Sequence, residues 1–155
     1  MPDETIPERL NALLRHSFLD PTLFLQAVTH SSYANEHPPE RSNETLAFLG
    51  DAVFGLVVAR AILERNEEMA VGGLTQRRAD IVSGKNLARL GSLLGLGECL
   101  RLGRGEEQTG GRSKESLLAE ALEALVGALY LEGGLQAAES FVRSLMALEE
   151  SGSPS

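Results

Sequence analysis

The segment that most restricts the fold is residues 44 to 66, ETLAFLGDAVFGLVVARAILERN, whose pattern predicts one long helix. It follows Asn43, a residue type that favours helix N-caps, and it is apolar on nearly every face. A helix of this kind must be covered on most sides, so we expect it at the centre of a domain. It also contains Asp51, a carboxylate that is costly to bury without a partner.

The rest of the pattern is helical as well, and the predicted fold class is an all-α helical bundle. Residues 30 to 42 and 103 to 113, rich in Ser, Pro, Asn, Glu or Gly, are predicted as loops. Further helices are expected after the Asp20 and Pro21 pair as far as about His30, over LTQRRADIV, around Leu87, Leu90 and Leu94, over ESLLAEALEALVGALYLE, and in a last segment that buries Leu135, Ala138, Val142 and Leu145.

A chain of 155 residues fits one domain, expected over residues 1 to 150, with a flexible tail over 151 to 155. Its single cysteine, Cys99, suits a reducing cytosol, so we expect a cytoplasmic protein. The N-terminus lacks a basic stretch followed by an apolar one, and no apolar run approaches the length needed to cross a bilayer. We therefore expect no membrane insertion.

The formal net charge of −8 argues against a surface that is basic throughout. The positive charge is nevertheless concentrated between residues 77 and 114. That concentration fits either a local contact with phosphates or an ordinary solvated helix face. Eight of the fourteen Lys and Arg residues lie there: Arg77, Arg78, Lys85, Arg89, Arg101, Arg104, Arg112 and Lys114.

Acidic residues recur at helical spacing in two segments. Glu44 and Asp51 share one helix face, and Gly50 and Gly55 beside Asp51 would let another backbone approach closely. Glu120 and Glu123 lie three residues apart on the second long helix, with Gly127 one turn beyond. Like charges at that spacing repel unless a positive group lies between them.

Two interpretations of these acids remain open. Oxygen ligands from two crossing helices would suit a hard divalent cation, Mg²⁺ or its substitute Mn²⁺, which could activate a water for attack on a phosphodiester. Alternatively, Glu120 and Glu123 are surface glutamates, and Asp51 pairs with an arginine or a backbone N–H.

Longer motifs decide between families of proteins. Residues 43 to 52, NETLAFLGDA, are similar to a signature helix written roughly N-E-x-L-E-F-L-G-D-S. Residues 27 to 33, AVTHSSY, are similar to a T-H-x-S-Y element, and LGRGE with Gly110 and Gly111 to a Gly-rich loop. SLLAEALEA and LEGG resemble a second acidic helix and its end. Together these motifs resemble the ribonuclease III family, in order and over roughly residues 8 to 146.

The resemblance implies an all-α endonuclease domain that forms a homodimer and acts on double-stranded RNA, including ribosomal RNA precursors. It implies that Asp51, Glu120 and Glu123 bind Mg²⁺ and direct hydrolysis, with Glu44 supporting them. It also implies that Phe48 inserts into a socket on the other subunit at the dimer interface. By itself, Phe48 would more often belong to the core.

The sequence departs from the family at three positions. Alanine stands at position 47, where the family has a metal-binding Glu; natural divergence and a deliberate substitution would both explain it. Glu120 stands where the family commonly has Asp, and Val71 lies near the place of a peripheral acid. A water could fill the gap at Ala47, because Mg²⁺ keeps several waters. Misplaced ligands would still slow the reaction, since a shift of about 1 Å can cost on the order of a hundredfold in rate.

Bacterial relatives usually carry a double-stranded-RNA-binding domain after the catalytic one, and this sequence stops near SGSPS. Either it is a fragment, or it resembles the short relatives that lack that domain. RNA binding is therefore expected to depend on the basic segment and to be weak and salt-sensitive. The residues expected to contact RNA are Arg77, Arg78, Arg104, Arg112 and Lys114.

Three functions remain possible at this point. The first is a Mg²⁺-dependent endoribonuclease for double-stranded RNA, with reduced activity because of Ala47. The second is a non-catalytic protein of the same fold that binds structured RNA or a ribosomal partner, or pairs with an active subunit. The third is a helical interaction module that binds no nucleic acid.

Overall fold

Helices make up nearly all the regular structure of the chain. A computed structural model describes residues 6–15, 18, 20–66 and 68–151. These residues form no β-strand, and Thr29 and Arg101 make an isolated bridge. The predicted all-α class is confirmed. In order, the helices are α1 (Glu8–Leu14), α2 (Pro21–Ala27), α3 (Ser31–Glu36), α4 (Glu44–Arg65), α5 (Val71–Val82), α6 (Gly84–Leu93), α7 (Leu96–Cys99), α8 (Arg104–Gln108), a 3₁₀ turn (Gly111–Ser113) and α9 (Glu115–Ser151).

The last helix, α9, forms the centre of the bundle. Leu122, Leu125 and Leu129 on it are fully buried, and α2, α4 and α6 pack around it. Its many alanines and leucines favour both helix formation and close packing. Helical angles are interrupted at Gly134, where φ is 73° and ψ is −173°, a conformation open to glycine. The prediction that residues 44 to 66 form the central helix is therefore wrong.

Helix α4 packs against α9 with one face and leaves a second apolar face exposed. On that second face, the side chain of Phe48 is 84% exposed, and Leu56 and Leu63 are more than half exposed. By length and composition α4 could cross a membrane, with a mean hydropathy of 2.0 over its most apolar stretch. This corrects the expectation that no apolar run approaches that length. Helix α4 has more apolar residues than α9 can cover. Part of its surface is therefore left without a partner among the described residues of the chain.

The N-terminal half contains one predicted helix start and one unexpected helix. The Asp20 carboxylate accepts a hydrogen bond from the Thr22 N–H at 2.9 Å, so α2 begins where the sequence predicted. The loop predicted over residues 30 to 42 contains α3 instead. Its N-cap is His30, whose ring accepts from the Ser32 N–H at 3.2 Å. Histidine is not among the usual capping residues, which is why the prediction missed this helix.

In the C-terminal half, Leu87 and Leu90 of α6 and the C-cap residue Leu94 are buried, as predicted. The loop predicted over residues 103 to 113 is wrong in part, because it contains α8 and the 3₁₀ turn. Leu135 directly follows the break at Gly134 and is 38% exposed, so its predicted burial is also wrong. Of the predicted tail, Ser151 ends α9, and residues 152–155 lie outside the described part of the chain.

Candidate active site

The candidate site lies where α4 and α9 touch through their backbones. A Cβ atom on Gly50 would lie 1.7 Å from the carbonyl oxygen of Glu123, and one on Gly127 would lie 2.2 Å from that of Leu46. Only glycine allows helices to approach this closely. The sequence predicted such an approach at both Gly50 and Gly55. It occurs at Gly50, and the prediction for Gly55 is wrong, because an added Cβ there would meet no atom within 4 Å. The Gly50 and Gly127 contact brings the acidic faces of the two helices together.

At this crossing the carboxyl groups of Asp51 and Glu123 share a hydrogen bond. Burial, this hydrogen bond, and the negative charges of Asp51 and Glu120 raise the pKa of Glu123 to about 8. At neutral pH the pair therefore holds one proton. Asp51 is exposed, so it is not the buried carboxylate that the apolar pattern of α4 led us to expect. Within the described residues, neither carboxyl forms an ion pair with Lys or Arg.

Glu120 and Glu44 extend the acidic site along the two helices. Burial raises the pKa of the Glu120 carboxyl; the nearby His30 opposes the shift, and the negative charge of Glu44 adds to it. Glu120 also acts on Glu123, so the four predicted acids interact electrostatically. Their side chains do not converge on a single point, because no group of three possible metal ligands forms among the described residues.

The missing ligand position is Ala47, which lies one helical turn before Asp51 and is half-buried. Its methyl group offers no oxygen, so Glu44 and Asp51 are the carboxylates on this face of α4. The oxygen donors that remain suit a hard cation such as Mg²⁺, which binds to proteins through few carboxylates and several waters. The donor chemistry therefore fits Mg²⁺, with one fewer protein ligand than the resemblance implied.

The basic residues predicted to contact RNA fall into two groups. Arg112 donates to the carbonyl oxygens of Gly97 and Leu100 at 3.0 and 2.7 Å and to both carboxylate oxygens of Glu107 at 2.7 Å. Lys114 donates to Glu106 at 2.8 Å and to Thr109 at 3.1 Å. These two side chains stabilise residues 97 to 114, which we call the segment around α8. Their donor groups are largely used in these contacts, so fewer remain for a ligand.

The other predicted contacts are less restrained. Arg77 makes a long ion pair of 3.4 Å with Glu149. The side chains of Arg78 and Arg104 are exposed and make no hydrogen bond or ion pair within the described residues. Arg78 and Arg104 are thus the most available of the five predicted cations.

Sequence reasoning assigned no role to two residues that organise this region. Arg101 donates to Thr29 Oγ1 at 3.2 Å and to the Tyr33 hydroxyl at 3.0 Å, and its guanidinium lies 4.3 Å from the centre of the Tyr33 ring. These contacts fix α3 against the segment before α8. His30 lies at the start of α3, close enough to Glu120 to affect its charge. The sequence signal that could have pointed to His30 is a histidine two residues before a serine, at the start of a helix.

A family model described as Ribonuclease-III-like matches residues 20–149. The chain belongs to the ribonuclease-III-like family. Ribonuclease 3 from Symbiobacterium thermophilum is 50% identical over 129 residues, covering 83% of this chain and 54% of the relative. Ribonuclease 3 from Syntrophobacter fumaroxidans is 46% identical over 140 residues, covering 89% of this chain and 58% of the relative. The chain thus spans little more than half the length of these curated ribonuclease III relatives.

Two solved structures of the nuclease domain of ribonuclease III from Campylobacter jejuni share the fold, each with a TM-score of 0.84. One is 36% identical and covers 92% of this chain and 96% of that domain. The other is 35% identical and covers 100% of this chain and 99% of that domain. The first is described as showing structural flexibility in a region involved in dimer formation. The chain therefore corresponds to the nuclease domain of ribonuclease III.

Proposed function

We propose that this chain is a Mg²⁺-dependent endoribonuclease domain that cleaves double-stranded RNA. The observation that carries the proposal is the pair formed by Asp51 and Glu123 at the glycine crossing, with Glu120 adjacent and no cationic side chain paired to either carboxyl. Two carboxyls that share a proton in the absence of a cation are a reason to expect a cation in the working state. Ribonuclease III relatives supply the reaction class.

Asp51, Glu120 and Glu123 would hold the metal, with Glu44 supporting them from the start of α4. Bound Mg²⁺ or Mn²⁺ supplies a polarised water and neutralises charge on the phosphate. The chain itself contributes the rigid crossing that holds the carboxylates in place, and Glu123 must give up its proton before it can act as an anionic ligand. Binding of the metal should therefore release protons near neutral pH.

RNA affinity is expected to come mainly from Arg78 and Arg104, whose guanidinium groups are not used inside the described part of the protein. Contacts of this kind read the phosphate backbone and the shape of the duplex. With a net charge of −8, binding should be weak and should fall steeply with salt. The proposed working unit is a cytoplasmic homodimer formed through the exposed face of α4.

A second candidate function, non-catalytic RNA binding, is favoured by a specific observation. Ala47 removes one oxygen ligand, and the remaining acids do not converge as a group of three within the described residues. Such a site would bind a cation weakly and place a water poorly. The protein would then hold structured RNA or a ribosomal partner, or serve as the partner of an active subunit.

The decisive experiment incubates a labelled RNA duplex with the protein, with and without Mg²⁺ or Mn²⁺. The matched variants are Glu123→Gln, which removes an acid of the site, and Glu98→Gln, which changes an exposed glutamate on α7. Metal-dependent cleavage that Glu123→Gln abolishes and Glu98→Gln preserves supports the endoribonuclease. A bound but intact duplex supports the non-catalytic protein. A duplex that is not bound even at low salt supports the interaction module that binds no nucleic acid.

A further inference from the structure

The imidazole of His30 is held by a chain of directed hydrogen bonds. Its Nδ1 atom lies 3.2 Å from the Ser32 backbone nitrogen, which donates to it, and 2.8 Å from Ser32 Oγ. Ser32 Oγ in turn accepts from the Gly103 N–H at 2.9 Å. Because that hydroxyl oxygen is occupied as an acceptor, its own hydrogen is free to point at Nδ1. Two elements that are distant in sequence thus fix the orientation of one ring.

These bonds also determine where the proton of the neutral ring lies. Since Nδ1 accepts from Ser32, the neutral imidazole carries its hydrogen on Nε2. No residue within the described ranges forms a hydrogen bond with Nε2, and His30 is only partly buried. His30 therefore presents one oriented N–H group to its surroundings, and the neighbouring protein does not use it.

His30 lies near both the acidic site and α8: the carbonyl oxygen of Thr29, next to it, accepts a hydrogen bond at 2.8 Å from the backbone N–H of the residue that caps α4. Burial raises the pKa of the Glu120 carboxyl, and the nearby His30, when its ring is protonated, opposes that rise. His30 acts as well on Glu106, whose pKa is lowered mainly by a hydrogen bond from Lys114. Glu106 in turn engages the Lys114 ammonium, at 2.8 Å. The Lys114 ammonium is thus committed to a carboxylate, while the Nε2–H group of His30 forms no hydrogen bond with the described residues.

We propose that His30 binds a phosphate oxygen of the RNA backbone beside the acidic site, through its Nε2–H group. A phosphodiester that approaches Glu44, Asp51, Glu120 and Glu123 meets repulsion from the carboxylates, so the chain must supply donors there. An N–H group whose direction is fixed beforehand makes such a contact without losing side-chain entropy on binding. The inference rests on the proposed function, because it names a further contact to the same substrate.

Two substitutions separate this role from the capping of α3. In His30→Asn, the side-chain oxygen can still accept from the Ser32 N–H, since Asn is a good N-cap, but no donor reaches the position of Nε2. In His30→Gln, the amide can reach that position, but the cap is weakened. The measurements are thermal unfolding and the binding of a short labelled RNA duplex at low salt. Ca²⁺ replaces Mg²⁺, and a gel verifies that the duplex stays intact.

We expect His30→Asn to unfold at the parent temperature and to bind the duplex about tenfold more weakly, as for loss of one hydrogen bond to a charged group. His30→Gln should unfold at a lower temperature yet bind more tightly than His30→Asn. The dependence of affinity on salt should be unchanged in His30→Asn, because a neutral donor releases no counterion, whereas Arg104→Ala should reduce it.

Four results would overturn the inference. Parent-like binding by His30→Asn would leave Nε2 without a role in binding RNA. Equal loss of binding in both variants, or a lower unfolding temperature in His30→Asn, would assign His30 to the structure of α3 alone. Each of these three outcomes leaves the proposed function standing if the parent binds the duplex. A parent protein that does not bind the duplex would overturn the proposed function and, with it, this inference.

Discussion

Ala47 is the residue whose chemistry differs most from what its surroundings require. It lies one turn before Asp51, on the helix that faces Glu123, and it is only half-buried, so a longer side chain has room to extend towards the site. A glutamate at this position would add an anionic oxygen on the same side of the crossing. A further ligand should bind the metal more tightly and hold the attacking water in place.

We therefore predict that Ala47→Glu raises Mg²⁺-dependent cleavage of duplex RNA, by about tenfold or more if placement of the metal limits the rate. Glu120→Asp should add to this effect non-additively, because both side chains would share one metal. Cleavage rates across a Mg²⁺ titration would be compared for the parent, both single variants and the double variant. Ala47→Gln is the neutral control of equal size. Tighter metal binding without any gain in cleavage would favour the non-catalytic protein.

Glu123 should make the stability of the metal-free protein depend on pH. Its pKa rises from 4.5 to about 8 on folding, so the folded state binds the proton more tightly than the unfolded state. Stability is therefore fully present below about pH 4.5 and is lost as pH rises towards about 8. We predict that Glu123→Gln removes part of this loss and raises the unfolding temperature at pH 8 by a few degrees.

Unfolding temperatures measured from pH 5 to pH 9 in chelator would test this prediction, with Glu98→Gln as the control. Mg²⁺ should raise the unfolding temperature of the parent at pH 8, because the metal favours the deprotonated pair, and it should do so less in Glu123→Gln. If the unfolding temperatures of the metal-free parent and of metal-free Glu123→Gln change in parallel with pH, Glu123 does not hold its proton in the folded state.

Helical spacing was sufficient to predict which acids lie together, because residues three, four and seven apart must share a face. It could not predict that Arg112 is used within the protein. Its partners are the carbonyl oxygens of Gly97 and Leu100, which come together only when α7 and the following segment fold. A sequence lists the donors in a segment, and the tertiary structure decides which of them stay available.

At the scale of elements, the crossing of α4 and α9 depends on Gly50. An added methyl group would overlap the Glu123 carbonyl, and backbone cannot move aside as a flexible side chain can. We predict that Gly50→Ala lowers the free energy of unfolding by about 1–3 kcal/mol and separates Asp51 from Glu123. Gly72→Ala, on α5, is the control, since an added Cβ there meets no atom within 4 Å.

Chemical unfolding and duplex cleavage would be measured for both variants. Gly72→Ala should be neutral or slightly stabilising, because alanine favours helix over glycine. Equal stability of Gly50→Ala and Gly72→Ala would mean that the two helices are not in backbone contact.

In the segment around α8, one arginine is available to bind RNA, and another stabilises the segment itself. The Arg104 guanidinium forms no hydrogen bond or ion pair with the described residues, whereas the guanidinium of Arg112 cross-links the segment. We predict that Arg104→Ala weakens binding of an RNA duplex and lowers the slope of log affinity against log salt by about one. Arg112→Ala should instead lower the unfolding temperature, because buried carbonyl oxygens lose their donor. An unchanged salt slope in Arg104→Ala would place the RNA surface elsewhere.

The pattern of apolar residues predicted the number and type of the long helices, but not their arrangement. Both α4 and α9 are apolar, and the sequence alone gave no reason to put α9 at the centre. The difference lies in side-chain size: the alanines and leucines of α9 let neighbours pack on most of its sides. Helix α4 instead carries Phe48, Leu56 and Leu63 on a face that none of the described helices covers. The sequence analysis did not predict helix α3, because its N-cap residue is a histidine.

At the scale of the whole molecule, the main feature without a partner is the apolar face of α4, which the described residues of the chain leave exposed to solvent. Phe48, Leu56 and Leu63 recur at helical spacing and form an apolar stripe along the helix. Exposed apolar stripes are costly in water and mark contacts with other molecules. A second copy of the chain can cover the stripe by two-fold symmetry, with the same residues contributed from both sides. The Campylobacter jejuni nuclease domain, described as having a region involved in dimer formation, is consistent with that occupant.

We predict that the protein is a homodimer and that Phe48→Glu converts it to a monomer. Phe48 is 84% exposed in the single chain, so its replacement removes no core contact and should leave the unfolding temperature of the monomer unchanged. In a dimer the same change would bury a charge without a partner, at a cost of several kcal/mol. Sedimentation across a range of concentrations would compare the parent, Phe48→Glu and Leu131→Glu. Leu131 lies on α9, outside the stripe, and is 57% exposed, so Leu131→Glu should remain a dimer. A Phe48→Glu variant that stays dimeric would place the interface elsewhere, and a monomeric parent that binds lipid vesicles would assign the stripe to a membrane surface.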